Sequence, residues 1–243
     1  LRTIKASNII YDDDDQLMTM IQNCIIYENG RGLSGNQINI QYADSLIDTL
    51  AIFGNAKAYN DLHVKISETA LENQHFQDNM SSTDMKTMFF ENQIETLYLY
   101  GMATTKYHMV EDGLLKGRNE ASGDTIQVDF VEDQLDRIQV FGGGRGTFFP
   151  EKNNIEVDTT VIYKAEYIDY HLNTRKTYLE TNAMVDYQGT NLSSGYITAD
   201  WDTNILEVHP RENNTPIVDT NDSEPLYGRF MEFNLITRHG RVV

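Results

Sequence analysis

Several residue groups in this chain are of types that can do chemistry. Asp12-Asp13-Asp14-Asp15 places four carboxylates in a row. A calcium loop needs oxygen ligands at alternating positions and a glycine turn, and this run has neither, so it reads as a solvated hairpin turn. The six histidines, His63, His75, His108, His171, His209 and His239, are scattered without zinc-ligand spacing. Ser122-Gly123-Asp124 and Ser194-Gly195 lack the strand–turn–helix setting of a nucleophilic serine. Gly142-Gly143-Gly144-Arg145-Gly146 is glycine-rich, but Thr147-Phe148-Phe149-Pro150 follows in place of the helix N-terminus that a phosphate cradle requires. Cys24 is the single cysteine, so no intramolecular disulfide and no cysteine metal cluster can form. Asp/Glu pairs are numerous enough that a glycosidase-like pair stays open, yet acids repeated at equivalent turns read as solubilising groups. The expectation is a protein without catalytic residues, metal site or cofactor.

The elements that must position side chains are strands. Ile38-Asn39-Ile40-Gln41-Tyr42 and Ile126-Gln127-Val128-Asp129-Phe130 alternate apolar and polar residues, the pattern of a half-buried antiparallel sheet. Asp/Asn/Glu clusters such as 43–45 and 131–133 supply turns between such runs. Residues 17–26 and 45–53 are ambiguous with helix, but Thr, Ile and aromatic residues favour strand. Residues 68–79 are the best candidate for a short helix or irregular loop, and 210–225 reads as a loop.

Repeats organise these strands. Segments 35–60, 82–107 and 123–148 align without gaps. Their outgoing strands carry Ile38/Ile40/Tyr42, Met85/Thr87/Phe89 and Ile126/Val128/Phe130. Acidic turns follow at Asp44, Glu91 and Glu132. Returning strands start at Ile47, Ile94 and Leu135, and continue with Leu50/Ile52, Leu97/Leu99 and Ile138/Val140. Each reaches glycine at Gly54, Gly101 or Gly142, then small residues at alternate positions: Ala56/Ala58, Ala103/Thr105 and Gly144/Gly146. These small residues predict close approach of a facing sheet or an interior groove. A longer correspondence joins 5–42 to 164–201, with Asn23 facing Asn182 and Gly30 facing Gly189. A further repeat begins near Gly228, so the 243 residues read as one repeat-built domain cut from a longer array. Leu1 is not Met and no basic-then-apolar leader precedes the array, which reads as a mature or trimmed product.

Gly35-Asn36…Gly54-Asn55-Ala56 and Gly123-Asp124…Gly142-Gly143-Gly144, with the openings Ala6-x-x-Ile9-x-Tyr11 and Ala165-x-x-Ile168-x-Tyr170, resemble the OstA-like family. That family forms the periplasmic lipopolysaccharide-transport bridge and the N-terminal part of the outer-membrane translocon. Met80–Lys86 lacks the family's glycine, and residues 62–80 are an insertion. The resemblance implies an all-β, V-shaped, open-edged antiparallel β-jellyroll of repeated hairpins. It implies a non-enzymatic periplasmic or outer-membrane-associated protein of the Gram-negative envelope. Its partners would be lipopolysaccharide or another amphiphile, and homologous β-rolls or further copies of itself added at edge strands. The lipid-lining residues would be Ile38, Ile40, Tyr42, Leu50, Ile52, Leu97, Leu99, Ile126, Val128, Phe130, Ile138 and Val140. The same residues packed on one another give the alternative, a structural β-rich assembly module with a filled core. A polysaccharide-active β-solenoid enzyme is a third reading, and it requires acids and aromatics clustered on one exposed face. The net charge of −18 excludes nucleic acid as a partner. It also requires divalent cations, or a head group held off the protein surface, for a phosphate-bearing lipid. No apolar stretch reaches the ~18–20 residues of a membrane-crossing helix.

Overall fold

The computed structural model describes residues 2–132, 134–152, 157–211, 214–220 and 224–243. Every described regular element is a strand. In chain order they are β1 (Arg2–Lys5), β2 (Asn8–Asp12), β3 (Leu17–Glu28), β4 (Arg31–Ala43), β5 (Leu46–Val64), β6 (Gln74–Phe90), β7 (Gln93–Glu111), β8 (Leu114–Val131) and β9 (Gln134–Pro150). There follow β10 (Val161–His171), β11 (Lys176–Tyr187), β12 (Thr190–Asp200), β13 (Ile205–His209), β14 (Ile217–Thr220), β15 (Leu226–Tyr227), β16 (Met231–Asn234) and β17 (Gly240–Val242). Strands β3 to β12 pair in sequence order as an antiparallel meander within one sheet. The fold is an antiparallel β-jellyroll that does not close on itself.

A seam crosses every long strand and bends this sheet. The odd strands from β3 to β11 each carry two successive residues with positive φ: Gln22-Asn23, Gly54-Asn55, Gly101-Met102, Gly142-Gly143 and Thr181-Asn182. The even strands from β4 to β12 each skip one residue at the same level, at Asn36, Thr83, Asp124, Glu166 and Gly195. Such bulges sharpen the local bend and twist of a strand, so each long strand runs through two limbs. The three glycine repeats and the longer 5–42/164–201 correspondence therefore mark one feature: Asn23 and Asn182 stand on the same seam as Gly54, Gly101 and Gly142. At the two edges the sheet divides along this line. Strands β1 and β2 pair with opposite halves of β3, and β14 and β13 with opposite halves of β12.

The hairpin turns bear out the acidic-turn reading. Asp44-Ser45 and Glu91-Asn92 both have positive φ, as the tight turns favoured in twisted hairpins require, and Glu132 does likewise, while Asp133 lies outside the described residues. Asp12 ends β2, and its Oδ1 accepts the backbone N–H groups of Asp14 and Asp15 at 3.1 and 3.2 Å. Asp200 and Asn234 cap equivalent turns in the same way. The aspartate tetrad is thus a turn-forming device.

Residues 17–26 and 46–53 are strand, as their β-branched content predicts, while Ser45 belongs to the turn before β5. The 68–79 segment holds no helix: 68–73 is irregular, and β6 starts at Gln74 because Gln74–Asn79 finds a ladder partner in β5. The 210–225 loop contains β14, which completes the second-limb edge of β12, while residues 212–213 and 221–223 lie outside the described residues.

Candidate lipid-binding interior

Alternation turns one face of each limb inward, and both inner faces belong to a single buried cluster. Ten of the twelve residues expected to line a groove sit deep in it: Ile38, Ile40, Leu50, Ile52, Leu97, Leu99, Ile126, Val128, Ile138 and Val140 are at most 7% exposed. They form a continuous aliphatic strip on the first limb. Tyr42 and Phe130 stand apart from these ten: both are half-buried, at the outer end of the limb.

Each belongs to a cross-strand pair repeated along the sheet: Tyr42 with Ile47, Phe89 with Ile94, and Phe130 with Leu135. A bulge at Asp48, Glu95 and Asp136 follows each pair on its returning strand. The bulge leaves a carboxylate beside every aromatic–aliphatic pair. All six pair members are half-buried, so they form an apolar lip above the closed strip. The aliphatic partners open the returning strands of the sequence repeats, so their position was legible. Their exposure was not, because it depends on distance from the seam.

The second limb supplies the small residues. A Cβ on Gly144 would stand 2.8 Å from Ile168 Cδ1, and one on Gly123 would stand 2.5 Å from Val140 Cγ1. The large side chains of the first limb thus lean over the glycines beyond the seam. Ile168 and Val140 stand on the strands paired with these glycines, so the small residues make room here for side chains of neighbouring strands of the same sheet.

Toward the C-terminal half a polar bridge ties the limbs together. Tyr170 on the first limb donates to Tyr163 Oη (2.7 Å), and Tyr163 on the second donates to Asn119 Oδ1 (2.6 Å). Burial pushes the Tyr107, Tyr163 and Tyr170 phenols well above the ordinary tyrosine range, so all three are neutral. At the limb tips Arg175 pairs with Glu111 at 2.6 Å, and Phe148 meets Trp201 with ring centroids 6.3 Å apart. Burial raises the Asp78 carboxyl, against the opposing pull of His108, whose backbone N–H donates to Asp78 Oδ1 at 2.8 Å.

Among the described residues no group of three or more His, Cys, Asp or Glu is placed to hold a metal ion. Cys24 is buried, and burial raises its thiol pKa. Two depressions, of ≈ 490 and ≈ 610 Å³, lie on the outer face of the second limb, the first around Ser81, Thr104, Ser122 and Arg145 and the second around Lys164, Met184 and Ser193. Among the described residues no helix is long and apolar enough to cross a membrane.

Fold and interior together define an open-edged β-jellyroll with an apolar strip between two limbs. No protein-family model matches the chain, and no curated protein matches it. Among solved structures it is similar to the crystal structure of LptH, the LptA-homologous periplasmic component of the lipopolysaccharide transport device from Pseudomonas aeruginosa. The identity is 13%, the TM-score 0.39, and the match covers 58% of this chain and 82% of that one.

Proposed function

We propose that this chain is a non-enzymatic envelope protein that holds the acyl part of an amphiphile, of the lipopolysaccharide class, against the lip of its β-jellyroll. The carrying observation is the row of three half-buried aromatic–aliphatic pairs above a continuous buried aliphatic strip. Each methylene covered there contributes roughly 0.8 kcal/mol, so partial coverage of an acyl chain already gives useful affinity. The open sheet supports assembly with other β-rolls, since among the described residues the ladders of β1 and β2 run to β3 alone. The sequence resemblance supports a periplasmic or outer-membrane-associated setting. The ten deep residues, at most 7% exposed, then act as the floor on which the lip stands and meet lipid only when the limbs part.

The same depth of burial favours a second reading, a structural assembly module with a filled core. Photo-crosslinking separates the two. Benzoylphenylalanine replaces Tyr42, Phe89 or Phe130 in turn, with Ile126 as the deep control, and each variant is irradiated with purified rough lipopolysaccharide. Lipid adducts at the three lip positions support the carrier. No adduct at any position, together with no amphiphile extracted from natively purified protein, refutes it and leaves the structural module.

A further inference from the structure

The outer face of the first limb carries a feature that the interior does not use. One cross-strand line follows the seam over ten strands, each residue paired with the next. It begins Gln37, Phe53, Asp84, Tyr100, Thr125, Phe141, so aromatic rings alternate strictly with hydrogen-bonding side chains. The rings are the residues just before the seam glycines Gly54, Gly101 and Gly142, and they are 43%, 41% and 37% exposed. Two strand spacings separate successive rings, about 9.6 Å. Tyr167 and Tyr196 continue the line, Tyr167 in contact with Phe141 at 5.1 Å between centroids.

Rings in this setting are costly to leave in water, and the polar residues between them are of defined kind. Asp84, an amide and a hydroxyl present acceptors and donors level with the rings. Behind them Tyr98 stacks on Tyr100 with planes 8° apart, and Arg137 holds Asp169 through bonds of 2.8 and 2.6 Å, so the surface is preorganised. A bilayer would meet carboxylates here. A nucleic acid would find rings to stack on, but it lacks the cationic groove it needs on a chain of net charge −18. An uncharged sugar chain meets both requirements: its C–H faces cover the rings and its hydroxyls bond the groups between.

The geometry points to a binding site for an extended, uncharged, β-1,4-linked glycan, whose disaccharide repeat is close to the ring spacing of about 9.6 Å; it lies along the outer seam, across the strands, with successive disaccharides stacked on Phe53, Tyr100 and Phe141. The site is separate from the lipid lip, and its two readings stand or fall independently. The bound chain runs parallel to the axis along which the hairpins stack, so affinity grows with glycan length as successive rings are engaged.

Calorimetric titration of the full chain with cellohexaose and with chitohexaose, against their disaccharides, tests this. At least one hexasaccharide is expected to bind, and more tightly than its disaccharide. Phe53→Ala, Tyr100→Ala and Phe141→Ala each weaken binding about five-fold, and together on the order of a hundred-fold, because rings two strands apart act independently. Tyr227→Ala, at an exposed ring off the line, changes nothing, and unchanged denaturation midpoints verify the fold. The single variants carry the test should the triple variant fail to fold. Failure of both hexasaccharides to bind the wild-type chain overturns the proposal. Full affinity in all three single variants overturns it too, as does ring-dependent flotation with phosphatidylglycerol vesicles in place of glycan binding.

Discussion

Met102 sits at the second seam position with φ of 51°, 82% exposed. Asn23, Asn55 and Asn182 fill that position on three other strands, and Gly143 on the fourth. A left-handed conformation costs an ordinary L-residue about 1–2 kcal/mol, and asparagine tolerates it better. Met102→Asn surrenders almost no packing, so it is expected to stabilise the protein by about 0.5–1 kcal/mol. Gly143→Ala runs the other way. Its Cβ meets nothing within 4 Å, so only the backbone cost enters. An offset of about 0.4–1 kcal/mol from the stiffer unfolded chain leaves a net loss of about 0.5–1 kcal/mol. Gly142→Ala adds a collision, its Cβ falling 2.5 Å from Asp124 Oδ2, and should cost more than about 2 kcal/mol. Urea unfolding with an unchanged m-value reads all three, and each kcal/mol corresponds to roughly 2–4 °C in Tm for a chain this long. A destabilised Met102→Asn, or a Gly142→Ala no worse than Gly143→Ala, would refute the account of the seam as a row of required left-handed bulges.

Further expectations follow from the interior and the outer face. Tyr163→Phe removes the hydroxyl that joins Tyr170 to Asn119 and leaves a buried acceptor unpaired, at a cost of about 1–3 kcal/mol. A double-mutant cycle with Tyr170→Phe should then show coupling, and strict additivity would dissolve the bridge as a unit. Burial tends to raise the Asp169 carboxyl, but its bonds from Arg137 and His171 prevail and hold it below the usual carboxylate range. The stabilisation is therefore complete above the ordinary carboxylate pKa and is lost as pH falls through the folded value. Asp169→Asn should cost about 1–2 kcal/mol at neutral pH, with the difference from wild type shrinking in acid; a constant difference would contradict the pairing. Cys24, 1% exposed with its thiol pKa raised by burial, should react with a disulfide reagent only as fast as the fold opens. Rapid modification of the native chain would show that the interior breathes.

The local rules were legible in the residues. Alternation at 38–42 and 126–130, the acidic turns, and glycine in phase at 54, 101 and 142 led to an antiparallel sheet of repeated hairpins, because strand faces and tight turns depend on neighbours close in sequence; the roll was implied by the family resemblance alone. The strip Ile38 to Val140 was likewise legible as a buried face. The seam as a whole was not. Gln22-Asn23 and Thr181-Asn182 perform the bend without glycine, and only the cross-strand register shows them level with Gly54. Exposure within the strip was equally hidden: Ile40 and Tyr42 are two residues apart on one face, yet one is sealed and the other forms the lip. Periodicity states which face a side chain takes, whereas its distance from the bend and the limb opposite it decide whether water, or lipid, can reach it. The outer line of Phe53, Tyr100 and Phe141 has the same origin. Its rings are 47 and 41 residues apart in the chain, and pairing across strands alone makes them neighbours.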